Sequence, residues 1–133
     1  YEFTFRGKRF LSMESLLQGL KFETVETQNG VFERVGVKAK LRGKKRKWYL
    51  DQTLYWQGTP MKRDSKEYKN IVREAFYALA ENIDFQQTLL ATGDKRLYHT
   101  MGKSDPTRTI LTEEEFCSIL TEVRTSLKER RIR

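Results

Sequence analysis

Apolar residues recur along the chain at two spacings, and each spacing predicts a kind of element. In the opening YEFTF, Tyr1, Phe3 and Phe5 alternate with polar neighbours, and the RGKR that follows centres a turn on Gly7, so a short strand enters a hairpin. Ser12 can cap a helix with Glu14 in its first turn and Leu16, Leu17 and Leu20 at helical spacing, ending near Lys21 to Glu23. Between Thr24 and Thr59 the period breaks. There Gly30, Gly36, Gly43 and Gly58 separate short β-leaning pieces such as VFERVGV and WYLDQTLYW, which predicts loops and short strands.

The clearest helix follows Pro60. Asp64 or Ser65 caps it, and Tyr68, Ile71, Val72, Ala75, Phe76, Leu79 and Ala80 form one stripe, which makes it the central core helix. A further helical stretch runs from Ile83 to Thr92 with Phe85, Leu89 and Leu90 inward, and Gly93 stands where a C-cap belongs. Leu97 to Thr100 reads as a short strand. After the turn-forming SDPT, Thr112 and Glu115 make a capping box for a last helix buried through Phe116, Ile119, Leu120, Val123 and Leu127. Cys117 borders that stripe as a packing residue, and the basic KERRIR complements the helix dipole and frays. With no internal repeat and no low-complexity linker, residues 1–133 read as a single α+β domain, mainly helical with short strands.

Composition narrows the chemistry. A chain of 133 residues buries roughly two thirds of its unfolded surface, enough for a core without disulfides or metal. One Cys and one His, His99, exclude zinc-finger ligand sets and paired-thiol redox motifs, and no metal or cofactor is expected. Carboxylates, Lys, Arg and hydroxyls are left to do the work. No apolar run approaches the ~18 residues of a membrane span and no signal-type segment opens the chain, so a soluble, cytoplasmic protein with no membrane partner is expected.

Charge points to an anion. The 26 Lys and Arg exceed the 18 Asp and Glu by 8, and clustered cations attract phosphates. Seven of the ten positions in KAKLRGKKRK, from Lys38 to Lys47, are basic. This run reads as a phosphate-contacting loop or, equally, as a solvated hairpin tip or mobile loop.

Glu14 is the first candidate for chemistry. A carboxylate in the first turn of a helix is favoured as the anion by the free N–H groups there, which suits a base or a cation stabiliser; Glu is also common there as a simple dipole complement. Gln18 and Lys21 follow at four and seven residues, so the three share a helix face. Such a face is usually solvated, but Leu16 and Leu20 already supply the opposite one. Trp48, Tyr49, Tyr55 and Trp56 form an aromatic cluster that would stack on a base ring in a binding site or pack in a core otherwise. TGDKRLYH, from Thr92 to His99, combines Gly93 with Asp94, Arg96 and the only His.

These residues also resemble a known family. RFLSMESLLQGLKF, from Arg9 to Phe22, is similar to the early helix of the NADAR (NAD and ADP-ribose, YbiA-like) superfamily, with its small residue, Glu, Gln and Lys-Phe pair. Trp56 followed by Met61, the LLATGDKRL stretch from Leu89 to Leu97, and the closing VRTSL resemble further segments of that family in the same order. After Asp94 the chain departs: His99 stands near a family Glu, HTMGKSDPTRT replaces a Trp-Gly turn, and Asp105 stands for a family Asp.

The resemblance implies an N-glycosidase acting on an ADP-ribosyl-guanine or a ribosylamino-pyrimidine of the riboflavin pathway, free or carried on nucleic acid. It implies Glu14 as the carboxylate facing the ribosyl cation, with Asp105 a second carboxylate and His99 a proton donor. Lys21, Gln18, Trp56, Met61, Thr92, Gly93 and Asp94 would line the substrate. The competing expectation is a non-catalytic module that binds ADP-ribose, NAD-like ligands or nucleic acid through the basic surface.

Overall fold

A computed structural model describes residues 1–34, 36–44, 46–98 and 103–132. Its first element is the hairpin that the opening alternation predicts. Strands β1 (Phe3–Phe5) and β2 (Lys8–Phe10) pair antiparallel, with Phe3 opposite Phe10 and Phe5 opposite Lys8. Arg6 and Gly7 between them take φ of 50° and 79°, the left-handed pair a two-residue hairpin needs to match strand twist, and Gly bears it most cheaply at the second place. Further on, β3 (Thr53–Trp56) and β4 (Thr59–Lys62) form a second, separate two-stranded sheet around Gln57 and Gly58 by the same device.

Helix α1 (Met13–Gly19) is capped as predicted, Ser12 Oγ accepting from the Ser15 N–H at 3.1 Å. It stops before Lys21: the N–H groups of Lys21 and Phe22 donate to Gln18 and Gly19 carbonyls three residues back, which tightens the exit turn. The largest departure from expectation comes next. Where the broken period predicts loops and strands, the chain forms α2 (Val25–Phe32) and α3 (Gly36–Lys44). Gly43, read as a breaker, is a contact point instead: a Cβ there would lie 1.8 Å from Gln18 Oε1, so glycine is what lets α3 lie against α1. The basic run is therefore largely a helix, anchored by the fully buried Ala39, and not a hairpin tip.

Helix α4 (Lys66–Leu79) is the central element. Ser65 caps it, and Tyr68, Ile71, Val72, Ala75, Phe76 and Leu79 are buried as their spacing requires. α5 (Ile83–Leu90) follows, capped by Asn82, and Gly93 takes φ 62° just beyond it. Leu97 and Tyr98 form no strand; His99 and Thr100 lie outside the described residues. α6 (Glu113–Ile132) opens on a reciprocal capping box, Thr112 N–H to Glu115 Oε1 at 2.8 Å and Glu115 N–H to Thr112 Oγ1 at 3.1 Å. It continues to Ile132, within the KERRIR segment where fraying is expected, and Arg130 pairs with Glu81 at 3.2 Å.

The chain is thus α+β, with six helices and two small antiparallel sheets among the described residues. One core joins the first hairpin, α1, α4 and α6 through Phe10, Leu16, Leu20, Leu54, Tyr68, Phe76 and Val123. No described helix is long and apolar enough to cross a membrane.

Candidate functional site

A cleft of about 470 Å³ opens between α1, α3, the turn before α6 and the first turns of α6. Its α1 wall carries Glu14, Gln18 and Lys21, the three residues whose spacing put them on one face. Their surroundings differ from a solvated stripe. Gln18 is 7% exposed and Lys21 9%, because α3 packs over them. Gln18 Nε2 donates to Glu14 Oε1 at 3.0 Å and so fixes the carboxylate. Gln18 Oε1 is buried against Gly43 without a hydrogen-bond partner among the described residues.

Lys21 Nζ donates to the Gly43 carbonyl at 3.4 Å. Burial of its ammonium pulls its pKa down to about 8; Glu14 opposes that shift and the positive charge of Lys103 adds to it. A lysine held this way gives up its proton far more readily than one in water.

From α3, Lys40 and Lys44 face the cleft one turn apart, and Trp48 closes its floor. The opposite wall is the 103–113 segment, which brings Lys103, Arg108 and Glu113. That segment is irregular, and three side chains hold it by its carbonyls. Gln52 Nε2 donates to Thr107 O at 2.7 Å, Arg63 Nε to Thr109 O at 3.0 Å, and the Tyr68 hydroxyl to Ile110 O. The Arg108 guanidinium lies 3.9 Å over the Tyr49 ring. Five cationic side chains thus converge on the cleft against two carboxylates, and none of the five has an ion-pair partner within salt-bridge distance among the described residues.

The other candidates are placed elsewhere. Trp56 packs edge-on against Phe5, at an angle to Phe32 and under Arg6, on the first hairpin. Met61 is core. Thr92 Oγ1 accepts from Arg124, the Gly93 carbonyl accepts from Lys128, and Asp94 pairs with Lys128, so these three tie the end of α5 to α6. Asp105 is spent on its own turn, accepting from the Thr107 N–H at 2.9 Å and its hydroxyl at 2.7 Å, and those bonds lower its pKa. His99 lies outside the described residues. Lys103 and Arg108 escape a reading based on periodicity because an irregular segment delivers them, with the SDPT turn the one local signal that the chain reverses there; Glu113 is the first residue of α6.

Residues 1–125 match the model of the family described as bacteriophage protein GP30.3. The chain is also 35% identical, over 96% of its length and 86% of the relative's, to the "Uncharacterized 17.1 kDa protein in Gp30-rIII intergenic region" of Enterobacteria phage T4. It therefore belongs to the bacteriophage GP30.3 family. This corrects the resemblance to the NADAR superfamily, which rests on short segments with common residue types, whereas the family match covers nearly the whole chain. No solved structure matches the chain.

Proposed function

We propose that this chain is a cytoplasmic N-glycosyl hydrolase that binds a phosphorylated N-ribosyl or ADP-ribosyl base in the α1/α3 cleft, with Glu14 as its catalytic carboxylate. The observation that carries the reading is the fixed carboxylate of Glu14 in one cleft with five cations that have no ion-pair partner among the described residues. Heterolysis of a C1′–N bond leaves its electron pair on the base nitrogen and positive charge on the ribose, which a held carboxylate stabilises. Water then adds its oxygen to C1′, Glu14 accepts a proton from it, and the departing nitrogen takes one. Lys21, with its pKa lowered to about 8, suits the donor role. Lys40, Lys44, Lys103 and Arg108 supply the phosphate contacts.

A second reading, a module that binds such ligands without turnover, is favoured by the excess of cations over carboxylates in the cleft. Chromatography of base released from N-ribosyl pyrimidine nucleotides and ADP-ribosylated guanine nucleotides separates the two. The hydrolase reading predicts release by the wild-type chain and a loss of at least a hundredfold in Glu14→Gln, a size typical of an electrostatic or acid–base group. Ligand binding with no release points to the module.

A further inference from the structure

We infer that the partner surface of this protein is made for a single nucleic acid strand, laid along α3 with one nucleotide entering the Glu14 cleft; the inference rests on the cleft proposed above as the ligand site and extends it. Residues 34–50 contain eight Lys and Arg and no Asp or Glu. None of the described cations among them forms an ion pair, whereas Arg63, Arg73, Lys128 and Arg130 elsewhere are each bridged to a carboxylate. With eight cations and no carboxylate in seventeen residues, this stretch is a local field that its own sequence does not compensate, and a polyanion is what neutralises it.

The geometry favours a strand over a lone phosphate. Lys38, Lys40 and Lys44 are exposed on α3, Lys47 just beyond it, and Lys40 and Lys44 stand about 6 Å apart along the helix axis. Lys38 and Lys44 are about 9 Å apart along the axis and Lys47 lies past the helix end, so exposed charge extends beyond the two α3 lysines that line the cleft. Apolar surface interleaves with it: Leu41 is 56% exposed and Leu50 75% exposed, and the Tyr49 ring lies beneath Arg108. Cations that track a backbone beside exposed apolar side chains suit a single strand, whose unstacked bases can meet them, whereas a duplex hides those base faces.

Fluorescence anisotropy with a labelled oligothymidylate 12-mer, the same sequence in duplex form, and a mononucleotide tests this on the full chain. The expected result is tightest binding to the single strand, with a log–log salt slope of about −3 for four phosphate contacts. Lys40→Glu/Lys44→Glu should weaken that binding tenfold or more. Lys40→Gln/Lys44→Gln, which spares helix packing, should reduce the slope by about 1.4. Glu14→Gln should bind the strand at least as well as wild type. Salt-insensitive binding, equal affinity for the duplex, or unchanged affinity in the charge variants would overturn the inference. Base release from mononucleotides without strand binding would overturn it while leaving the hydrolase standing; strand binding without base release would do the reverse.

Discussion

Two buried glutamines divide the molecule. Gln28, fully buried, donates to the carbonyls of Gly19, Phe22 and Tyr55 and accepts twice from Gln57, which ties α1, α2 and β3 into one body. Gln18, almost as buried, spends its amide N–H on Glu14 and leaves Oε1 against Gly43 with no partner among the described residues. The contrast extends to charge. On the α4/α6 side Arg63 is sheathed by Glu115 at 2.5 Å, Thr109 and the Tyr68 ring; on the α1/α3 side Lys21 is buried beside Lys103 with a single long hydrogen bond. One side closes its polar groups for stability, and the other holds them open at a cost, as a site does.

The largest effect should come from breaking the closed side. Arg63→Ala strands a half-buried carboxylate and frees the Thr109 carbonyl, for a loss of about 3 kcal/mol in denaturant unfolding. Burial alone would raise the Glu115 carboxyl, but the Arg63 guanidinium and the Thr112 N–H outweigh it and hold the pKa below 4.5. Its contribution is therefore present at neutral pH and lost as the pH falls below about 4.5, and the variant should show a flatter acid limb.

Gly43→Ala tests the junction of the two sides. The added methyl must displace the Gln18 amide, for about 1–3 kcal/mol of lost stability and release of the Glu14 contact. A Gly43→Ala protein as stable as wild type would show that α3 does not press on α1.

The smallest effect has the opposite sign. Lys21→Met should stabilise the fold at pH 7 by about 1 kcal/mol, since a poorly paired buried charge is replaced by an apolar chain of similar length. Because the folded pKa is about 8 against 10.5 when exposed, the unfolded chain binds more protons between those values. Wild-type stability should therefore rise with pH across that window, and the variant should lose the rise.

How far the sequence foretold this arrangement depends on which force decides each segment. α4 and α6 are set by apolar periodicity and capping side chains, both local, and Ser65, Thr112 and Glu115 do what their spacing says. α2 and α3 are set by contact: Gly43 is a breaker until Gln18 is placed beside it. The cleft divides the same way. Glu14, Gln18 and Lys21 are one face of one helix, but Lys103 and Arg108 reach them through a segment anchored by Gln52, Arg63 and Tyr68, all distant in sequence. Trp56 lies outside this cleft for a related reason, since Phe5 and Phe32 come from other elements to pack against it.

The claim that the open side awaits an anion is tested most directly at Lys21. Its side-chain resonances, followed by NMR against pH with and without a saturating ribonucleoside monophosphate, should titrate near 8 in the free chain and move upward when the phosphate binds, because a nearby negative charge favours the ammonium. Titration at the ordinary lysine value in both samples would contradict the account.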